Sequence, residues 1–504
     1  MSENTTDQFF KSTVLGHPAG LFVLFFTEMW ERFSFYGMRS LLILFLTASF
    51  TDGGWEWTRE NASALFGSYV GLVYLSTMLG GYFADKVIGF RWAVVVGATL
   101  MTLGHASMAV ETEFSIYLGL VLLVFGNGFF KPNMTSIVSE MYKDRPEKKD
   151  GAYTLFYMGV NAGAFFGILL CGYLGEKVGW TYGFGLAGIF MFFGMLQFWL
   201  SQNIFGDIGL KPSKESKAKA EALDTDKRNP FSPIQLAAIG FSSILALLWL
   251  LNDPASKISG GKVNIFSFLG PDGNSIAIIS ALVVFIILLV YRFTQYSKIT
   301  KEKLIAVTFF AFLTIFFWAI FEQSPNSLTI FASDYTDRVL TGNWSVVFLV
   351  MNSMITILPL VIITWVLILL FKQTFKLYAV ANIILSISFV IIWAIAFWML
   401  TKDYYTAGYL SLSDSTLQAL KIDKVTTALT EVPARMIAFM FGVWYLAVAI
   451  GMKGAGMFGE NIDKIANEHG LSYFFWMLAI ISIAVALFSI LMGPVIKKLM
   501  HGVR

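Results

Sequence analysis

The chain has 504 residues, of which 56% are hydrophobic and 16% aromatic, and a net charge of only +3. That is more apolar than a soluble domain, and so small a charge gives no footing for nucleic acid. The single cysteine, Cys171, excludes an internal disulfide and reads as packing, because it sits in an apolar run. Apolar runs of about 20 residues, the length that crosses a bilayer core, recur throughout. The composition therefore predicts a polytopic all-α membrane protein with the lipid bilayer as a partner.

In chain order, spans are expected near 20–46, 62–83, 92–110, 114–130, 152–175 and 181–203. A hydrophilic linker with Lys211, Lys214, Lys217, Lys219, Lys227 and Arg228 follows at 206–231. Spans near 232–251 and 276–293 form a hairpin, and then come 303–323, 345–371, 377–400, 434–452 and 472–495, thirteen in all. This order predicts an N-terminal six-helix bundle (1–203), a linker with a two-helix insertion (204–302) and a C-terminal bundle (303–504) that is atypical over 343–432.

Lys and Arg set the orientation. Lys86 and Arg91 mark one loop, and Lys143, Arg145, Lys148 and Lys149 mark another, whereas the alternate loops at 48–61 and 111–113 are acidic or nearly free of them. The N-terminus is expected in the cytoplasm, in a cell (inner) membrane. "MSENTTDQFFK" has no basic n-region or small-residue cleavage site, so the first span itself is expected to direct insertion. The chain has no GxGxxG, Walker, CxxC or HExxH motif, and its four histidines are scattered. No metal site, cofactor or enzymatic activity is expected.

The first span is unusual. "EMWERFSFYGMR" (28–39) places four charges within twelve residues. At about 100° per residue, Arg39, Arg32 and Tyr36 fall about 20°, 40° and 80° from Glu28, and Glu31 about 60° to the other side. The polar groups share one stripe, opposite Phe26, Trp30, Phe33 and Leu41. Each charge in mid-bilayer costs about 2.5–3.5 kcal/mol, so four scattered ones would oppose insertion, whereas a single stripe can face water and itself. Glu28 precedes Arg32 in the favourable i,i+4 order. Two readings follow: an ion cluster that ties helices together, or a polar pathway for protons and a charged solute.

The stretch resembles the ExxERFxYYG signature of the proton-dependent oligopeptide transporters, within the major facilitator superfamily. "GGYFADKVIGFR" (80–91) resembles that superfamily's loop between second and third helices, and "GNGFFKPN" (126–133) the family's fourth-helix lysine motif. "FYMGVNAGAFFG" (156–167), "FWAIFEQSPNSL" (317–328) and "PARMIAFMFGVWYL" (433–446) resemble its fifth, seventh and eleventh helices. The hairpin at 232–293 matches the bacterial insertion after the sixth helix.

The resemblance implies a two-bundle transporter that imports di- and tripeptides with protons by alternating access, driven by the proton gradient. It assigns proton coupling to Glu28, Glu31 and Arg32. It assigns substrate contact to Tyr36, Arg39, Tyr74, Lys131, Asn161 and Trp318, and an outer gate to Arg39 with Glu322. Chemically, Arg39 and Lys131 suit a peptide carboxylate, although Lys131, placed near the end of its span, can also snorkel to the surface. Tyr36 and Tyr74 offer hydroxyls on apolar rings. In the loop motif of Gly81, Asp85, Lys86, Gly89 and Arg91, Asp85 is expected to cap a helix and Arg91 to pair across the bundle; a plain basic turn is the other reading. Gly159, Gly163 and Gly167 read as a packing ridge.

The C-terminal half departs from the family. Residues 344–407 hold no glycine, so the hairpin 345–371/377–400 reads as lipid-facing and peripheral. The tenth-helix Glu-Leu-x-x-Ser-Pro motif is absent, and the charges of 402–432 forbid an ordinary span; 411–431 is expected to form a surface amphipathic helix. The expectation is a relative that lacks the usual eighth to tenth core helices, with an incomplete C-terminal bundle joined near Val432. The competing idea makes 345–371 and 377–400 divergent eighth and ninth helices and 404–432 a distorted tenth. A proton-coupled carrier of another small anion or zwitterion, or a non-transporting relative, is the alternative function.

Overall fold

The computed structural model describes residues 12–211, 231–296, 298–334, 336–421, 430–431 and 462–499. The expected span 434–452, the motif 433–446 and most of the basic linker lie outside them. Two short strands, β1 (Thr13–Val14) and β2 (His17–Pro18), precede α1 (Ala19–Thr47). Next come α2 (Arg59–Phe83), α3 (Phe90–Met108), α4 (Glu113–Met141), α5 (Lys149–Phe166), α6 (Gly172–Lys177) and α7 (Trp180–Ser201). α8 (Pro233–Ile258) and α9 (Gly273–Thr294) form the insertion hairpin, followed by α10 (Lys298–Phe321) and the short α11 (Ser327–Asp334). The described chain continues through β3 (Val339–Leu340), α12 (Asn343–Thr374), α13 (Ala379–Thr406), α14 (Asp414–Ala419) and β4 (Thr430–Glu431) to α15 (Ile462–His469) and α16 (Leu471–Leu499). Among the described residues ten helices are long and apolar enough to cross a membrane. α1 and α3, of 29 and 19 residues, stand at the two other expected positions.

The chain divides into two compact units. The first holds Met1–Phe45, Leu75–Ser213 and Thr329–Phe441. Within it α1 is central. Its apolar face does not meet lipid: Trp30 stacks on Phe190 of α7 at 4.5 Å, and Phe33 lies 4.5 Å from the same ring. On another side a glycine ridge brings α5 onto it. A Cβ on Gly159 would lie 2.9 Å from the Phe25 carbonyl oxygen, and one on Gly163 or Gly167 would overlap the carbonyl of Met29 or Phe33. In lipid such close packing, rather than exclusion of water, holds helices together.

The α12–α13 hairpin also belongs to the first unit, and α13 packs along α7. One face is exposed, with Val361, Trp365 and Val390, while the other is buried through Leu385, Phe389 and Ile392. Without glycine, close approach falls to Ala381, Ser388 and Ala396, all buried. The hairpin thus presents one exposed face and packs against its neighbours with the other.

The expected helix over 411–431 is shorter. Among the described residues only Asp414–Ala419 is helical, started by Ser413 accepting from the Thr416 amide at 3.3 Å. β4 pairs antiparallel with β3, just before α12. The segment therefore leaves α13 and returns at the same end of the hairpin, which does not fit a tenth span over 404–432.

The second unit holds Leu46–Tyr74, Lys214–Leu328 and Gly442–Arg504. α8 and α9 pack through Ala277 and Ala281, with Ser242 donating to the Ala281 carbonyl at 2.8 Å. Arg292 lies over the Phe231 ring at 4.2 Å at one end of that hairpin. The N-terminal part of α2 meets the turn after α10, where Ser63 donates to Asn326 at 3.0 Å and both are fully buried. α10 runs beside α16, with Phe309 and Phe488 at 5.6 Å.

Candidate functional site

Helical periodicity puts the charges of α1 on one face, and packing fixes their depth. Glu28, Glu31, Arg32 and Arg39 are all at most 4% exposed. One nitrogen, Arg32 Nε, serves both acids, 2.7 Å from Glu28 Oε1 and 2.9 Å from Glu31 Oε2. The first, a hydrogen bond donated by Nε, is charge-assisted and about twice as strong as a neutral one, and both contacts keep a buried cation compensated. The Arg32 guanidinium also lies 5.9 Å from the Phe35 ring, and that of Arg39 lies 5.0 Å from Phe35 and 5.4 Å from Tyr36. Aromatic faces thus help to hold both cations.

Lys131 joins this cluster from α4. It lies within electrostatic range of Glu31, Glu28, Arg32 and Arg39. The expectation that Lys131 stands near the end of its span is corrected here: α4 continues through Pro132 to Met141. The lysine is therefore set well inside the helix, within electrostatic range of the α1 acids. Asn161 of α5 is exposed on its helix. The first unit thus assembles two carboxylates, three cations and the half-buried Tyr36. Tyr74, Trp318 and Glu322 lie in the second unit and are buried, at 9%, 3% and 1% exposure.

The loop motif holds its own side of the first unit. Gly89 has φ +82°, a conformation that favours glycine, and a Cβ there would lie 2.7 Å from the Leu210 carbonyl carbon. Arg91 does not pair across the bundle as expected. It donates from Nε to the Ile208 carbonyl at 2.5 Å and from Nη2 to the Gly206 carbonyl, and stands over Phe205. Asp85 is exposed in a π-helical turn and caps no helix start, since no side-chain cap precedes α3. Sterics explain both: the sharp turn at Gly89 aims Arg91 at the segment that follows α7.

The sequence reading missed a buried pair beside the stripe. Thr27 donates to Gln197 Oε1 at 2.8 Å, and Gln197 Nε2 donates to the Val23 carbonyl at 3.3 Å. A lone glutamine in the apolar run of α7 was the available signal.

Ten membrane-length helices among the described residues, with the buried, charged stripe of α1 beside Tyr36, define a multi-helix membrane protein. The model of the POT family (PTR2) matches residues 91–477. The peptide transporter YePEPT of Yersinia enterocolitica subsp. palearctica is 32% identical over 97% of this chain and 96% of its own length. A di-/tripeptide transporter of Lactococcus lactis subsp. cremoris is 32% identical over 66% of this chain and 64% of its own. A solved peptide transporter POT in complex with sulfate superposes at a TM-score of 0.60 and 24% identity, covering 99% of this chain and 100% of its own. The chain belongs to the POT family.

Proposed function

We propose that this chain is a proton-coupled importer of di- and tripeptides that works by alternating access, with its N-terminus cytoplasmic in a cell (inner) membrane. The observation that carries the reading is the buried Glu28–Arg32–Glu31 cluster beside Lys131 and Arg39. A peptide is a zwitterion of variable side chain, so a pocket that reads only its ends needs fixed cations and titratable acids. Arg39 and Lys131 take the carboxylate, and Tyr36, Tyr74 and Asn161 contact the backbone. Trp318 lines the pocket from the seventh span, and Glu322 gates it with Arg39. Glu28 and Glu31 exchange a proton between states of different hydration, and Arg32 is their shared counter-ion. The names of the Yersinia and Lactococcus relatives support peptides as the solute, and the basic loops support the orientation.

The absent tenth-helix acid, which would meet the peptide amine, favours a second reading, a non-transporting membrane relative; transport of another small anion or zwitterion is the other alternative. Uptake of a labelled dipeptide into proteoliposomes under an inward proton gradient, with unlabelled dipeptide, nitrate and single amino acids as competitors, decides between them. Peptide-specific competition supports the proposal; competition by nitrate or amino acids but not by peptides overturns it.

A further inference from the structure

We infer that the α12–α13 hairpin is a fixed part of the body formed by α1 and α3–α7, and moves with that body when the transporter changes state. The inference rests on the alternating-access reading above. By sequence the hairpin follows the seventh span, in the half expected to rock against the N-terminal bundle. Its contacts tie it elsewhere, at three levels.

At one end, Tyr173 of α6 donates to Asp403 Oδ1 of α13 at 2.9 Å, and Asn352 of α12 donates to Asp403 Oδ2 at 3.3 Å. One carboxylate thus joins both hairpin helices to the N-terminal helices. Lys177 and Lys402 are the cations that act on it. Trp398 meets the Tyr173 ring edge-on at 5.9 Å. Midway, Phe389 packs edge-on against Phe26 and Trp30 of α1, each at 5.6 Å. At the other end, Val23 of α1 and Gln197 and Ser201 of α7 line a narrow recess together with Thr374 and Asn382.

A hairpin held at one level could swing about it. Held at three, it can separate only by exposing the Asp403–Tyr173 pair, the aromatic seam and the recess together. Phe26 and Trp30 flank Glu28 on the same helix, so the hairpin also buttresses the ion-bearing span. The connection between Phe321 and Asn343 must then absorb the movement of α10.

The test joins the hairpin to the bundle. In a Cys171→Ala background, Tyr173→Cys/Asp403→Cys is bridged with a cleavable bifunctional thiol reagent, since side chains meeting at their tips leave the backbones beyond disulfide reach. Ser201→Cys/Asn382→Cys, across the recess, is a second pair should the first not fold. Labelled dialanine uptake into proteoliposomes is measured before bridging, after it and after reduction. Uptake unchanged by a completed bridge supports the inference. Uptake lost on bridging and recovered on reduction overturns it. A parent protein that takes up no dipeptide contradicts the transport reading instead. Spin labels at Trp199→Cys and Val390→Cys then decide the inference without transport. The inter-label distance is expected to stay the same in acidic and alkaline buffer, with and without dialanine; a shift of about 5 Å, one helical turn, overturns it.

Discussion

Gly163 of α5 lies against the backbone of Met29, where a Cβ would overlap the Met29 carbonyl and meet Arg32 Cβ at 2.9 Å. Neither contact can yield cheaply, because one atom is backbone and the other belongs to the buried ion cluster. Gly163→Ala should therefore push α1 away and tilt Arg32 from its acids. Overpacking of this kind costs about 1–3 kcal/mol. A lower melting temperature with a fall in proton-driven uptake is expected; wild-type values for both would mean that the ridge does not set the position of α1.

Arg32 Nε holds Glu28 and Glu31 at once. Arg32→Gln leaves two buried carboxylates facing each other, and removing one partner of a buried ion pair costs about 3–5 kcal/mol. The variant should lose concentrative uptake under a proton gradient. Thermal melts and uptake by the same purified protein check this, and Arg32→Gln with full accumulation contradicts the assigned role.

His17 Nδ1 lies 2.7 Å from the Tyr142 hydroxyl. Burial first, and the Lys148 charge second, hold the His17 imidazole below its usual value. A group that binds its proton less readily when folded contributes stability above its unfolded pKa, here about 6.5, and that contribution is lost as pH falls through the lowered folded value. Melting temperature should drop on acidification through this window, and His17→Asn should flatten the dependence there. An unchanged slope in the variant shows that other groups govern it.

Arg91 binds the carbonyls of Gly206 and Ile208. Arg91→Ala removes both donors. Hydrogen bonds to a charged group are worth about 1.5–3 kcal/mol each, less here because Arg91 caps a surface segment. A lower melting temperature, partly restored in Arg91→Lys, is expected; a neutral Arg91→Ala would show that the 205–210 segment is held by other contacts.

The α1 stripe was legible because helical periodicity alone places Glu28, Arg32, Tyr36 and Arg39 on one face, and the glycine ridge because residues four apart share a face. Lys131 was legible as a residue but not in its setting, since Pro132 read as a helix end although α4 continues past it. The partners of Arg91, the Thr27–Gln197 pair and the Tyr173–Asp403 bond were not legible. Each joins residues more than a hundred positions apart, and periodicity carries no information on which helices become neighbours. The hairpin's apolar composition suits lipid and protein equally, so its packed side is revealed by contacts such as those of Phe389 with Phe26 and Trp30.

Dipeptide-dependent proton entry into proteoliposomes, read with a luminal pH dye under an imposed membrane potential, tests the central claim most directly. The account predicts luminal acidification on adding a dipeptide to wild-type protein, and none with Glu28→Gln or Glu31→Gln protein that remains folded. Folded wild-type protein that gives no peptide-dependent acidification would contradict it.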